Sequence, residues 1–373
     1  MGVAGMAWCQ EPAIGATMKI LFCGPIPLAG ATPHGGYEAC NRRTIDALRA
    51  SGVDVSEQYY PQPKGGALAK LRGYVNGFAS LLRQIPANDG DVYHLTGLYK
   101  HFILAEWLLL RKARRQRLKV IYDVRAGSMY KHYKRLGPMY RWLFRRALRA
   151  ADLVMVEGTD YDPFVREVTG RPSFYLPNHI PVSAMPQRTA GSVSTLELVY
   201  IGRVNVEKGV ETALQTYLAL KASGIDCSLT VAGPGSPELV ARLQQQYPGA
   251  HWPGPIPSDQ VLALLGRSHI FLFPTRHPGE GHSNALTEAM AMGCVPVATD
   301  NGFNKSVIGT AGIVLPFDAP ARDYADAIAS LWANGRWEQL SAAAAERTRQ
   351  HFSTEKAVAR LASAYTNLLD VRP

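Results

Sequence analysis

Glu280-Gly-His-Ser-Asn-Ala-Leu-Thr-Glu288-Ala-Met-Ala-Met-Gly293-Cys-Val-Pro-Val297 is the stretch on which the reading of this chain turns. Two carboxylates stand eight positions apart, followed by a glycine that suits a helix stop and by a strand-like run. Eight residues of unbroken helix would leave the two glutamates about 80° apart in projection. The pattern fits better with Glu280 in the loop before the helix, Ser283 near its N-cap and Glu288 one to two turns inside. Carboxylates there can accept paired hydrogen bonds from vicinal hydroxyls, which a ribose or a hexose offers. The competing reading is a glutamate that stabilises a helix dipole beside a merely solvated one.

Outward from this stretch, the second half alternates strand-like and helix-like runs. Strands are expected at 196–201, 227–232, 270–273 and 294–298, and helices at 207–223, 237–247 and 283–292. The first half repeats the alternation, with strands at 19–23, 53–59, 91–95, 119–124 and 153–157 and a first helix at 37–51 closed by Gly52. Such alternation implies an α/β fold with parallel sheets covered by helices on both faces. A chain of 373 residues suits two domains. Residues 183–195, rich in Ser, Thr, Gly and Pro, read as the linker. The expected organisation is a disordered extension over 1–17, a first domain over 18–182, a second over 196–352, and a C-terminal helix over 353–373 that crosses back to the first. Ligands are expected in the cleft outside the carboxyl ends of the strands.

A second constellation, Gly202-Arg203-Val-Asn-Val-Glu-Lys208-Gly209, follows a strand and opens a helix. Two fixed cations beside a helix N-terminus can neutralise a diphosphate without a metal, although the same residues could be ordinary surface charge. The loop after Cys23 lacks G-x-G-x-x-G, which disfavours a dinucleotide-dependent dehydrogenase, and the chain has no Walker A motif. Five scattered cysteines with no CxxC argue for reduced thiols in a cytoplasm and against a metal cluster. The first residues carry no signal-peptide pattern, and no apolar run reaches the length of a membrane span.

Taken together these motifs resemble the retaining glycosyltransferases of family 4, the group 1 glycosyltransferases with the two-domain GT-B fold. The E-x7-E pattern appears as Glu280 and Glu288, followed by Ala-Met-Ala-x-Gly-x-x-Pro-Val. Gly202-Arg203 and Lys208-Gly209 match the family's upstream phosphate motif, and Gly35-Gly36-Tyr37-Glu38 its glycine loop. The resemblance implies two Rossmann-like domains facing a central cleft and a retaining, metal-independent transfer of a hexose-type sugar from a nucleotide sugar. The acceptor would be a saccharide or a lipid-linked saccharide, in surface polysaccharide or lipopolysaccharide assembly. Arg203 and Lys208 would bind the diphosphate, with Glu280 on the transferred sugar, and these three would carry the catalysis. Glu288 would hold the ribose, and Gly35 and Gly36 would admit the phosphates. Gly233, Ile256, Gly281, His282, Ser283 and Asn284 would complete the donor site. No cofactor is implied beyond the donor substrate. On the acceptor side, His94 matches a histidine-bearing strand end. Arg125 stands where many members have a cleft histidine, and either holds a phosphate or pairs with Asp123. His282 and Asn178-His179 are smaller departures from the pattern. A nucleotide-sugar epimerase and a non-catalytic nucleotide-sugar binder are the alternatives on the same fold.

Net charge is +10, and the excess is local. Residues 100–149 hold 15 basic and 2 acidic side chains. Such density reads as a surface for an anionic partner, against the plainer alternative of a solvated charge run. No nucleic-acid-binding signature accompanies it. Arg141, Arg145 and Arg149 recur at helical spacing opposite Tyr140, Leu143, Phe144, Ala147 and Leu148, with Arg146 alongside. Residues 67–85 set Leu71, Tyr74, Val75, Phe78, Leu81, Leu82 and Ile85 on one stripe. These stripes are either core faces or a surface for the anionic inner face of a membrane. A cytoplasmic protein, peripheral at that face, is the resulting expectation.

Overall fold

The computed structural model describes residues 18–28, 31, 33, 35–85, 90–125, 127–185 and 195–370. The expected extension before Met18, and residues 186–194 of the expected linker, lie outside them. The first sheet contains β1 (Lys19–Gly24), β2 (Asp54–Tyr59), β3 (Val92–Thr96), β4 (Lys119–Val124), β5 (Leu153–Val156) and β6 (Phe174–Tyr175), all parallel, in the order β2-β1-β3-β4-β5-β6. Its helices are α1 (Gly36–Ala50), α2 (Ala67–Gln84), α3 (Ile103–Arg115), α4 (Met129–Arg135), α5 (Pro138–Ala150) and α6 (Asp162–Thr169).

The second sheet contains β7 (Leu196–Ile201), β8 (Cys227–Ala232), β9 (His251–Gly254), β10 (Ile270–Phe273), β11 (Val295–Thr299) and β12 (Ile313–Leu315). It is also parallel, in the order β12-β11-β10-β7-β8-β9. Its helices are α7 (Val210–Ala222), α8 (Pro237–Gln246), α9 (Ser258–Arg267), α10 (Asn284–Ala291), α11 (Asn304–Ile308), α12 (Ala321–Ala333) and α13 (Arg336–His351). Two parallel six-stranded sheets are the α/β architecture of the GT-B fold.

Burial explains why the strands were readable. Every residue of β3 and β10 is buried, as expected for parallel strands covered on both faces, so both appear as short runs of apolar or β-branched residues, with His94 the one exception. Helix α1 buries Cys40, Thr44, Ile45 and Leu48, one face of a 3.6-residue period. The short strands β6, β9 and β12 were not anticipated. Each lies at a sheet edge and has two to four residues, and β9 contains Pro253. Helix α7 starts at Val210 rather than 207 because the segment before it is a turn. Asn205 Oδ1 accepts the Lys208 amide at 2.8 Å, and Gly209 takes φ 76°, where a side chain would also overlap the Pro274 carbonyl.

The last helix, α14 (Thr354–Asp370), packs on α1. Ala357, Val358, Leu361, Ala364 and Tyr365 share one core with Ile20, Phe22, Val92, Ile121 and Met155 of the first sheet. The chain reaches it through the pairing of Ile180 with Ser353. Each sheet's strand order reverses once, between β1 and β3 and between β7 and β10. The loops at the carboxyl ends of these strands therefore diverge and leave a crevice. Among the described residues, no helix is long and apolar enough to cross a membrane.

Candidate active site

The residues singled out in the second domain gather at its crevice. Gly202 and Arg203 follow β7, and the segment 274–283 follows β10, so both motifs stand at the point where the strand order reverses. Lys208 closes the turn before α7. Its Nζ meets both carboxylate oxygens of Glu280, at 2.7 and 3.0 Å, and Thr275 Oγ1 donates to Glu280 Oε2 at 2.6 Å. Glu280 is thus held as an oriented carboxylate, 6% exposed, at the cleft. Arg203 is exposed and makes no ion pair among the described residues, which leaves its guanidinium available.

Ser283 is the N-cap of α10, as expected from the spacing, and Glu288 lies on that helix. Asn284 Nδ2 donates to the Gly36 carbonyl at 2.8 Å, so the first turns of α1 and α10 meet across the cleft. With α7 next to Lys208, three helix N-termini border the site. Their unpaired amides and partial positive charge suit an anion. Glu288 is 3.4 Å from Arg43 Nη2 of α1, and burial raises its pKa against the pull of that arginine. Gly35 and Gly36 open α1 at the same place.

Gly233 follows β8, its amide donating to the Gly254 carbonyl at 2.9 Å. A cavity of about 260 Å³ lies beside it, lined by Val204, Gly233, Gly235, Trp252, Gly254 and Pro255. Ile256, next along the chain, is half-buried against the core. Of the expected donor residues, all but the His282 imidazole are placed around this crevice by their backbone or side chain.

Two expectations need correction, those for His282 and His94, and the alternatives for Arg125 are narrowed. His282 is 3% exposed, its Nε2 lies 2.8 Å from Thr287 Oγ1, and its ring packs edge-on to Phe352. Burial and the Arg125 charge push its pKa down to about 3, so it is a neutral core histidine that offers a ligand no imidazole. His94 is fully buried, stacked on Phe22, with Nδ1 2.7 Å from the Tyr365 hydroxyl and Nε2 3.5 Å from Asp123. Burial lowers its pKa, with Asp123 opposing. Arg125 resolves towards the ion pair: Nε donates to Asp123 Oδ2 at 2.7 Å and Nη1 to Cys40 Sγ at 2.7 Å. Its Nη2 is buried without a partner.

Several site residues carried no signal that was read. Thr275 orients Glu280, and Arg43 reaches both Glu288 and the His179 carbonyl. Glu157 ends the apolar run Leu-Val-Met-Val and lies against Gly281 of the Glu280 turn. A charged residue closing such a run was the available clue. Among the described residues, no three His, Cys, Asp or Glu side chains group as a metal site, and the four cysteines are free and buried.

Residues 195–334 match the family model described as Glycosyl transferases group 1. The WcaL protein of Salmonella typhimurium, named as a colanic acid biosynthesis glycosyltransferase, is 28% identical over 256 residues, 65% of this chain and 61% of its own length. The alpha-D-kanosaminyltransferase of Streptomyces kanamyceticus is 31% identical over 146 residues, 36% of each chain. The chain thus spans less than two thirds of the curated relatives it matches. Among solved structures, sucrose-phosphate synthase of Thermosynechococcus elongatus superposes with a TM-score of 0.71 over 95% of this chain and 100% of its own, at 17% identity. Anabaena HepE in complex with UDP gives 0.70 over 94% and 100%, at 16% identity. The resemblance read from the motifs is borne out, and the fold is the GT-B fold.

Proposed function

On the premise that the second domain is that of the group 1 glycosyltransferases, we propose that this protein transfers a hexose-type sugar from a nucleotide sugar to a saccharide or lipid-linked acceptor, with retention at the anomeric carbon. The observation that carries the reading is Glu280, oriented by Lys208 and Thr275 beside the exposed Arg203 and the N-termini of α1, α7 and α10. As the bond from the anomeric carbon to the diphosphate breaks, the electron pair leaves with the diphosphate. Arg203, Lys208 and the helix amides stabilise that charge, and no metal is required for it. Glu280 receives sugar hydroxyls, Glu288 the ribose, and the cavity beside Gly233 the base. HepE was solved with UDP-glucose, which makes UDP sugars the first donors to try.

Calorimetric titration with UDP, UDP-glucose and other nucleotide sugars tests this. One nucleotide sugar is expected to bind, with at least a tenfold loss in Arg203→Ala and in Glu288→Ala. If folded protein binds none of them, the donor site is not there. A bound sugar returned as its epimer, with no transfer, would instead favour the epimerase reading.

We assign the acceptor to the inner face of a membrane, from the surface of the first domain. Helices α2, α3 and α5 pack side by side and expose Leu71, Val75, Leu104, Leu108, Met139 and Trp142. The inner parts of the two stripes are core, with Phe78, Leu81, Phe144 and Leu148 buried. Arg149 and Arg145 are engaged by the Val168 carbonyl and Glu167, whereas Arg146 lies over Trp142 at 4.9 Å and Arg111 over Trp107 at 5.5 Å. An apolar patch rimmed by arginines suits an anionic leaflet, where each cation contributes about 1 kcal/mol. Sedimentation with phosphatidylglycerol-containing vesicles should bring the protein down, and phosphatidylcholine alone should not. The double variant Met139→Glu, Trp142→Glu should lose most of the bound fraction. Equal binding to both vesicles, or to neither, rejects the assignment.

A further inference from the structure

The turn Glu280-Gly281-His282 belongs to the second domain, yet its backbone is gripped by the first. A side chain at Gly127 would overlap the Glu280 carbonyl, and one at Gly281 would overlap the Glu157 carboxyl. One at Gly158 would overlap the ring of Phe303, which packs edge-on to Tyr161. The Glu157 carboxyl lies against the Gly281 backbone, and Asn178 Nδ2 donates to the His282 carbonyl. The segment one to two residues from the Glu280 carboxylate is therefore held by the opposite domain, through packing on one side and a hydrogen bond on the other. Glu157 is 5% exposed and makes no ion pair among the described residues.

We propose that Glu157, together with Asn178, is a positioning residue that sets the Glu280 turn against the first domain, so that placement of the sugar-binding carboxylate depends on contact between the domains. This rests on the reading of Glu280 as the sugar-binding group. Glu157 faces Asp123 at the end of β4 and Arg125 just after it, Glu280 and His282 in the turn, and the hydroxyls of Tyr37, Tyr99, Tyr161 and Tyr175. Burial, opposed by the Arg125 charge and reinforced by those of Asp123 and Glu280, lifts its pKa from 4.5 to about 8. In the closed seam at neutral pH it is therefore a neutral acid packed against the Gly281 backbone.

The sign follows from linkage. Below 4.5 the group is protonated whether the seam is open or closed, and the attachment is at full strength. Between 4.5 and about 8, closing takes up one proton, so the attachment weakens by up to about tenfold per pH unit and then levels off. Glutamine keeps the shape of the side chain and removes the titrating proton.

Hydrogen–deuterium exchange of the full chain, corrected for intrinsic rates, reads the amides of the 279–285 segment. Wild-type protection there should fall between pH 5.5 and 8, and that of Glu157→Gln should stay flat. At pH 7, Glu157→Ala should exchange this segment at least tenfold faster and Glu157→Gln should restore protection. Matching pH profiles for wild type and Glu157→Gln overturn the proposal, as does wild-type protection in Glu157→Ala. If the alanine variant does not fold, the pH comparison decides alone. Exchange needs no donor, so its outcome is separate from that of the transferase reading. For the nucleotide sugar selected by calorimetry, Glu157→Ala should weaken the sugar-bearing donor at least tenfold more than its nucleoside diphosphate. Equal losses for the two also overturn it.

Discussion

Lys208→Ala is expected to lower kcat by about 10²–10³-fold, the usual loss when one preorganised group that stabilises developing charge is removed. Two effects coincide. The ammonium stands in the turn before α7, beside the helix N-terminus, where the proposed reaction puts the leaving diphosphate. It also grips both oxygens of Glu280, which would otherwise depend on Thr275 alone. The side chain is only 16% exposed, so water replaces it poorly. Lys208→Arg should rescue little, because a planar fork cannot occupy the point-charge position between two carboxylate oxygens and a phosphate. Arg203→Ala should act differently: the exposed guanidinium holds nothing in the resting structure, and its loss should appear as weaker donor binding in an unchanged fold. Steady-state kinetics alongside thermal unfolding separates the two variants. A Lys208→Ala enzyme within threefold of wild type would remove the lysine from the reaction.

The second large effect concerns stability. Leu361→Ala is expected to cost about 2–5 kcal/mol, the range for a fully buried leucine whose cavity collapses only in part. Leu361 is fully buried and lies in the core shared by α14 and the first sheet. Tyr365→Phe removes the hydroxyl 2.7 Å from His94 Nδ1 and leaves a buried ring nitrogen unpaired, at about 1–3 kcal/mol. Deleting residues 352–370 goes further: it uncovers the whole apolar face of β1, β3 and β4 that α14 covers, and the first domain should not fold cooperatively. Denaturant titration followed by tryptophan fluorescence and far-ultraviolet circular dichroism measures all three. A deletion variant with an unaltered unfolding midpoint would show that α14 is dispensable.

Much of this molecule was legible because its strands are buried on both faces. Such strands announce themselves as apolar runs, and Ile270–Phe273 and Lys119–Val124 were read with the observed bounds. Glu280 and Glu288 could be placed because a glycine stop and a serine cap bracket one short helix. What escaped was whatever depends on a distant partner. Arg43 meets Glu288 across 245 positions and Asn178 meets His282 across 104, and no local pattern marks either pair. His94 and His282 misled for the same reason. A histidine at a strand end or in a cleft loop looks available until the elements that bury it, here Tyr365 and Phe352 from the far end of the chain, are in place. Strands β9 and β12 escaped because an edge strand of three or four residues has too few positions to show a period.

The return of α14 to the first sheet also sets an order of events on the ribosome. The last strand of that sheet, Phe174–Tyr175, is made some 180 residues before Thr354–Asp370. At about 5–20 residues per second that interval lasts roughly 10–35 s. Throughout it Ile20, Phe22, Val92 and Ile121 lack the cover of α14, and by its end every strand of the second sheet has been synthesised. The domain made first is thus the one finished last, and until the final helix is released its open face is a natural client for a chaperone.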